Sequence, residues 1–154
     1  MAAHTDNEIV IDAPFTTVWS IANDVTNWPD LFDGAYASAE ILQGDERRLT
    51  FRLTTEPEDD GKQYSWVSER VMDRDEGTVS ARRIENGPFL YMHIFQSFET
   101  LPGGSTKVRW VQDFEVLPEV PYDDAWFANR INKNCQRELV RHKEYIEARA
   151  GGRQ

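Results

Sequence analysis

The feature that most constrains this chain is its final segment, residues 122–149, which contains neither proline nor glycine. The segment opens with Asp123 and Asp124 and runs into Gly151 and Gly152, a pattern typical of the start and end of a helix. At 1.5 Å per residue this helix would be roughly 40 Å long. Apolar or thiol side chains recur at every fourth position: Phe127, Ile131, Cys135 and Leu139. One stripe of the helix must therefore pack against another part of the fold.

The middle of the chain has the alternation and the turn residues of antiparallel strands. In the segment RLTFRLT, Leu49, Phe51 and Leu53 face one way, and the arginines and threonines face the other. Glycine, aspartate and proline separate the candidate strands, which span residues 36–43, 47–55, 62–72, 77–85, 89–100 and 105–117. One more short strand is predicted at NEIVID, residues 7–12.

Two short helices are predicted between the first strand and the others. Pro14 lies where a first helical turn tolerates proline, and apolar side chains then recur at helical spacing as far as Asn23. The segment DVTNWPDLF predicts a second short helix or bend that places Trp28 and Phe32 inward.

This order of elements predicts a single α+β domain over residues 1–154. A curved seven-stranded antiparallel sheet would hold the long C-terminal helix and leave an interior pocket between them. The layout resembles the helix-grip fold of START domains and pollen-allergen-like proteins.

Composition excludes several function classes. Seventeen basic and twenty-seven acidic residues give a net charge of −10, which disfavours binding to nucleic acid or to anionic membrane surfaces. No run of about 18 apolar residues exists to span a bilayer, and the N-terminus lacks the layout of a signal peptide. We therefore expect a cytoplasmic protein.

No motif in the sequence indicates a metal or an organic cofactor. Cys135 has no cysteine partner, and His4, His93 and His142 lack the spacing of a zinc site. No phosphate-binding loop, dinucleotide motif or nucleophile elbow is present. We therefore expect no metal and no cofactor.

The strand containing YSWVSER indicates a site. Tyr64, Trp66, Ser68, Arg70 and Met72 share one face of this strand by alternation. Burial in a dry core would be costly for an unpaired guanidinium. On a face exposed to water, the large apolar surface of Trp66 would contribute nothing to stability. A partly apolar, partly wet cavity suits both residues.

The sequence resembles the bacterial aromatase/cyclases of type II aromatic polyketide synthesis. The resemblance is carried by IDAPFTTVWSIANDVTNWPDLF, WVSERV, IENGPFLYMH and GGSTKVRWVQDFEV, and it extends over nearly the whole chain. It implies regiospecific aldol cyclisation and aromatisation of the first ring of a poly-β-ketone. The implied partners are an acyl carrier protein and the minimal polyketide synthase.

The resemblance also implies site residues. The catalytic candidates are Arg70, Ser68 and Tyr36, where Tyr36 matches the family tyrosine if DGAYA carries one extra residue. The candidates for binding the substrate are Trp28, Phe32, Trp66, Tyr64, Phe89 and Met92. The chemistry agrees with this, because a permanently charged guanidinium can donate two hydrogen bonds to a β-diketone or its enolate.

Other interpretations of the same residues remain open at this point. Arg70 could reach solvent or pair with Glu85, and Trp28 and Trp66 could be ordinary core residues. His93 is a candidate for a general base, on a strand face that alternation predicts it shares with Phe89, Tyr91 and Phe95.

The function itself has an alternative from another class, a non-catalytic protein that binds or carries a hydrophobic ligand. A stress-response or ubiquinone-binding relative would have an apolar residue in place of Arg70. The candidate residues for a basic patch that docks the acidic carrier protein are Arg47, Arg48, Arg52, Arg82 and Arg83.

Overall fold

The computed structural model describes residues 2–32 and 34–151. The strands are β1 (Ala3–Ile11), β2 (Tyr36–Gly44), β3 (Arg48–Thr55), β4 (Ser65–Asp73), β5 (Thr78–Arg83), β6 (Phe89–Thr100) and β7 (Thr106–Val116). The helices are α1 (Phe15–Ala22), α2 (Trp28–Leu31) and α3 (Asp124–Gly151), and a 3₁₀ turn at Val25–Asn27 leads into α2. The predicted element order is confirmed.

All seven strands form one antiparallel sheet in the order β1-β7-β6-β5-β4-β3-β2. The two edge strands are β1 and β2, and α1 and α2 connect them. The long helix α3 packs against the inner face, so the predicted helix-grip architecture is confirmed.

Some predicted boundaries differ from the structure for local reasons. β1 begins at Ala3, four residues earlier than predicted, because it pairs with β7 as far as Phe114. α3 begins at Asp124 rather than at residue 122, because the Asp123 carboxylate caps it by accepting a hydrogen bond from the backbone N–H of Trp126 (2.9 Å).

The turn between β4 and β5 depends on Gly77. This residue has φ of 69°, and a Cβ atom there would lie 2.5 Å from the carbonyl oxygen of Phe98. Glycine is therefore required for the close approach of this turn to β6.

The apolar core has two clusters along the inner face. The larger one joins α1, α2 and the central strands to the C-terminal half of α3. The smaller one contains Phe89, Met92, Phe114 and Val116 and packs against the N-terminal half of α3, including Phe127 and Ile131. Within the described ranges, no helix has the length and apolar character needed to cross a membrane.

Candidate functional site

Arg70 lies on the inner face of β4 and is only 2% exposed. Its Nη2 donates hydrogen bonds to Asn23 Oδ1 (2.7 Å) and Gln96 Oε1 (3.0 Å). Its Cζ lies 5.0 Å from the centroid of the Trp28 ring. The residue that follows α1 (Asn23), β6 (Gln96) and α2 (Trp28) thus each supply one neutral group that holds the guanidinium.

The charge of Arg70 has no carboxylate partner among the described residues. Its Nε is buried and makes no hydrogen bond within that part of the chain. Burial lowers the pKa of Arg70 to about 9, so the side chain still carries its proton at neutral pH. A buried cation without a counter-ion is costly to folding, and such a site is a candidate for function.

Arg70 faces a small cavity between the sheet and α3. The cavity has a volume of about 10 Å³. Its wall includes Trp28, Phe32, Trp110 and His142, together with the polar side chain of Gln96. A space of this size admits about one water molecule.

An array of aromatic side chains extends from the cavity toward the end of the sheet. Neighbouring ring centroids lie 5.3 Å apart for Trp28 and Phe32, 5.1 Å for Phe32 and Tyr36, and 6.2 Å for Tyr36 and Trp66. Burial raises the pKa of Tyr36, so its phenol stays protonated. Ser68, on β4 between Trp66 and Arg70, is also buried.

The predicted site residues are therefore only partly brought together. Arg70, Trp28 and Phe32 line the cavity, whereas Ser68, Tyr36 and Trp66 lie on the inner face beside it. The placement of Tyr64 on this face is wrong, because β4 begins at Ser65 and the Tyr64 side chain is 50% exposed.

Phe89 and Met92 also lie away from the cavity, in the smaller core cluster. A register shift between Phe89 and Tyr91 interrupts the alternation of β6. The face that we predicted for Phe89, Tyr91, His93 and Phe95 is therefore wrong for Phe89. His93 is on the outer face and exposed.

The alternative in which Arg70 pairs with Glu85 is wrong. Glu85 instead accepts hydrogen bonds from Arg52 on the outer face, at 3.2 Å and 3.1 Å. Because Arg70 is buried on the inner face, it does not reach solvent either.

Arg83 was expected on the surface, but it points to the inner face from the end of β5. Its Cζ lies 4.3 Å from the centroid of the Trp66 ring and 5.4 Å from that of Phe89. Its Nε is buried without a hydrogen-bond partner among the described residues, and burial lowers the pKa of Arg83 to about 10. Alternation is consistent with this inward direction, because Arg83 pairs across the sheet with Ser68, whose side chain is also buried.

Three further residues of the site were missed by sequence reasoning. Asn23 and Gln96 hold Arg70, and the sequence signal for Gln96 is a polar residue in the inward row Met92, Ile94, Gln96 and Phe98. His142 is 4% exposed and lines the cavity. Its signal is the apolar stripe of α3, which continues past Leu139 to His142 and Ile146.

Metal ligation has no candidate in the described part of the chain, where no group of three His, Cys, Asp or Glu side chains could hold an ion. Cys135 is buried and accepts a hydrogen bond from Gln112 Nε2 (3.2 Å). Burial raises the pKa of its thiol to about 12, so it is not an activated nucleophile.

The chain as a whole matches a family of known proteins. Residues 2–147 match the family described as polyketide cyclase/dehydrase and lipid transport. A Streptomyces cyaneus protein named "Putative polyketide cyclase" is 46% identical over 147 residues, which are 96% of this chain and 95% of that protein.

Solved structures show the same fold. The aromatase/cyclase Zhui from Streptomyces sp. R1128 superposes with a TM-score of 0.80 at 19% identity, covering 99% of this chain and 96% of that one. A START superfamily protein from Mycobacterium smegmatis gives a TM-score of 0.69 at 16% identity, covering 98% and 99% of the two chains.

Proposed function

Because the chain belongs to the polyketide cyclase/dehydrase and lipid transport family, we propose that it closes the first aromatic ring of a poly-β-ketone. The substrate in this proposal is held on an acyl carrier protein of a type II polyketide synthase. The reaction is a regiospecific aldol cyclisation followed by dehydration, and it uses no cofactor.

The observation that carries the proposal is the environment of Arg70. A protein that only binds a neutral apolar ligand gains nothing from a buried guanidinium without a carboxylate partner. An enzyme that passes through an enolate and an alkoxide gains a preorganised donor at the place where negative charge develops. Arg70 lines a cavity with aromatic walls, and its Nε makes no hydrogen bond to a described residue, so both features fit this role.

The chemistry follows from the substrate. A methylene between two carbonyls loses a proton readily, and the resulting enolate carbon attacks a distant carbonyl carbon. Arg70 stabilises the negative oxygen of the enolate and then that of the alkoxide. Trp28 and Trp66 supply flat walls for the chain and the new ring, and the protein fixes which two carbons meet.

Ser68 and Tyr36 are proposed to assist Arg70. The buried Ser68 hydroxyl lies on the same face of β4, two residues from Arg70, and can donate to a neighbouring carbonyl. The phenol of Tyr36 keeps its proton because burial raises its pKa, so it can donate a hydrogen bond or a proton to an alkoxide.

Substrate entry requires part of the inner face to open. The cavity of about 10 Å³ is far below the roughly 300–1,000 Å³ of ligand pockets. Trp28 and Phe32 lie on or just after α2, a helix of only four residues that closes one side of the cavity. We therefore propose that α2 moves away from the sheet to admit the chain.

The proposed carrier protein would approach the exposed arginines of the outer face. Arg47 precedes β3, Arg48 is its first residue, Arg82 is on β5, and all three are exposed. Arg83 leaves this set because it points inward. Arg47→Glu with Arg48→Glu should slow turnover of a carrier-bound chain but not of a free chain mimic; equal effects on both would remove this surface from the proposal.

A non-catalytic carrier is the second candidate function, because the matched family also covers lipid transport. Both candidates predict binding of an apolar chain, so binding alone does not separate them. The separating observable is the distribution of products that a reconstituted synthase makes.

The test is a minimal polyketide synthase reconstituted with and without this protein. We expect the protein to direct most of the chain into one aromatic product, whereas its omission gives spontaneous shunt products. If the product ratio stays the same while the protein binds the chain, the protein is a carrier and not a cyclase.

A further inference from the structure

His142 is the one other titratable side chain that lines the cavity with Arg70, within the described part of the chain. It lies on α3, opposite the strands that carry Arg70 and Gln96. The edges of two aromatic rings hold the imidazole, with centroid distances of 4.6 Å to Phe32 and 4.9 Å to Trp110. The imidazole is thus fixed in orientation beside the guanidinium.

The hydrogen bonding of His142 defines its tautomer. Its Nδ1 lies 2.8 Å from the backbone carbonyl oxygen of Glu138, which can only accept a hydrogen bond. In the neutral ring Nδ1 therefore carries the proton, and Nε2 carries the lone pair. No described residue hydrogen-bonds to Nε2, so this lone pair is available as a base.

The groups that face His142 keep the ring neutral. Arg70 on β4 is positive, whereas Gln96 on β6, Trp110 on β7 and Phe32 after α2 carry no charge. Burial is the main cause that lowers the pKa of His142 to about 4; the hydrogen bond to the Glu138 carbonyl opposes it, and the charge of Arg70 adds a smaller lowering effect. The carboxyl of Glu138, one turn earlier on α3, has its pKa raised to about 7 by burial.

We propose that His142 is the proton-transfer residue of the cavity, acting on the same substrate carbons whose charge Arg70 stabilises. This inference rests on the proposed function. Nε2 takes a proton from a carbon next to a substrate carbonyl, and the C–H electron pair becomes the enolate. The enolate carbon bonds to a distant carbonyl carbon, and the alkoxide oxygen then takes the proton back from Nε2.

The pairing with Arg70 makes a weak base sufficient. A buried imidazole of low basicity removes a carbon-bound proton only if the resulting enolate is stabilised in the same cavity. The same low basicity makes the imidazolium a strong acid, which favours return of the proton to the alkoxide. The two residues thus have separate roles, one for the proton and one for the oxygen charge.

The test follows proton abstraction without ring closure. The probe is 2-acetylnaphthalene, whose methyl protons exchange slowly in D₂O buffer, and the readout is deuterium incorporation by mass spectrometry. The protein should accelerate exchange, and His142→Gln should reduce the acceleration by about 10²-fold. His93→Gln, on the exposed outer face, is the matched control and should leave the exchange rate unchanged.

The pH profile separates proton transfer from a merely structural role. Exchange catalysed by the protein should be nearly independent of pH between about 5.5 and 8, because Nε2 is already free. In His142→Gln the residual rate should rise with pH, as expected when hydroxide from solvent is the base. A variant that keeps the wild-type rate and profile would overturn the proposal for His142.

Two further results keep the proposals distinguishable. If the protein cyclises a poly-β-ketone but His142→Gln cyclises it equally well, the proton-transfer role of His142 is wrong and the proposed function stands. If the protein neither exchanges the probe nor cyclises the chain, the proposed function fails. Should His142→Gln not fold, ¹⁵N NMR of the wild-type imidazole decides, since a proton on Nε2 at pH 7 would overturn the proposal.

Discussion

The arginines on the two faces of the sheet have opposite surroundings. On the outer face, Nη2 of Arg52 lies 3.1 Å from Oε2 of Glu85 and Nε of Arg82 lies 3.2 Å from Oε1 of Glu69, and all four side chains are at least partly exposed. On the inner face, Arg70 and Arg83 lie against aromatic rings, and neither makes an ion pair with a described residue. The charges of the outer arginines are neutralised by neighbouring carboxylates, whereas those of the inner arginines remain available to a bound ligand.

This difference shows why charge count alone says little about function here. Acidic residues outnumber basic ones by ten, so a surface arginine such as Arg52 can find a carboxylate partner. Arg70 instead has two neutral amide acceptors and an unpaired Nε. A buried cation that is solvated by neutral groups retains its field in the cavity, where a paired cation would not.

The largest expected effect is a loss of cyclisation activity in the variant Arg70→Met. This change removes the guanidinium and keeps an apolar side chain of similar reach. We expect the rate of correct cyclisation to fall by about 10²- to 10³-fold, as for loss of one preorganised donor. The measurement is the rate and distribution of products with the reconstituted synthase.

Arg109→Met is the matched control for this variant, because it removes an exposed, ion-paired arginine of β7 that is not among the candidates for docking the carrier protein. Its product distribution should equal that of the wild type. Equal losses in both variants would mean that the two faces do not differ in function.

The next effect concerns the pH dependence of stability. The folded pKa of His142 is about 4, below its ordinary value of 6.5, so the unfolded chain binds more protons between these values. His142 therefore makes the free energy of unfolding decrease by about 3 kcal/mol as the pH falls from 6.5 to 4. Glu138 has the opposite sign, because its folded pKa of about 7 lies above its ordinary value of 4.5.

The two groups should nearly cancel in the wild type between pH 4.5 and 6.5. His142→Gln alone should therefore become more stable on acidification, and Glu138→Gln alone should become less stable. Urea denaturation at several pH values measures both slopes. Slopes of the same sign in the two variants would contradict the opposite pKa shifts of His142 and Glu138.

A smaller effect is expected on the stability of the inner face. In Arg70→Met combined with Gln96→Leu, the buried cation and one of its acceptors are removed together. Replacing buried charged groups by apolar ones often stabilises a protein, so we expect a gain of about 1–2 kcal/mol. A loss of the same size in thermal or urea denaturation would mean that Arg70 has a structural role.

The smallest effect is expected for the outer pair of Arg52 and Glu85. Exposed ion pairs contribute little and are screened by salt, so Arg52→Met should change the free energy of unfolding by less than about 1 kcal/mol. Denaturation at low and high salt tests this. A loss of several kcal/mol would show that the outer ion pair, too, contributes strongly to the stability of the sheet.

Much of the fold could be predicted, because it depends on local patterns. Alternation correctly placed Trp66, Ser68 and Arg70 on one buried face, and the absence of proline and glycine indicated α3. Tyr64 was misplaced because alternation does not show where a strand begins. The error for Phe89 has a different cause, since a register shift in β6 leaves no mark in the sequence.

The site was less predictable because it depends on contacts between distant elements. Asn23 lies 47 residues from Arg70 in the sequence and Gln96 lies 26 residues from it, and no local pattern connects either pair. His142 could have been found by extending the apolar stripe of α3, although the stripe alone does not show that Arg70 lies opposite. The cavity volume depends on how the aromatic side chains pack, which sequence patterns do not specify.

The central claim is that Arg70 remains unpaired in order to stabilise substrate charge, and ligand binding tests it most directly. The measurement compares dissociation constants of an aryl 1,3-diketone, titrated at a pH where it is an enolate, and of the matching neutral aryl ketone. From wild type to Arg70→Met, we expect affinity for the enolate to fall by about 10²-fold while affinity for the neutral ketone changes less than about threefold. Equal changes for the two ligands, or no change for either, would contradict the claim.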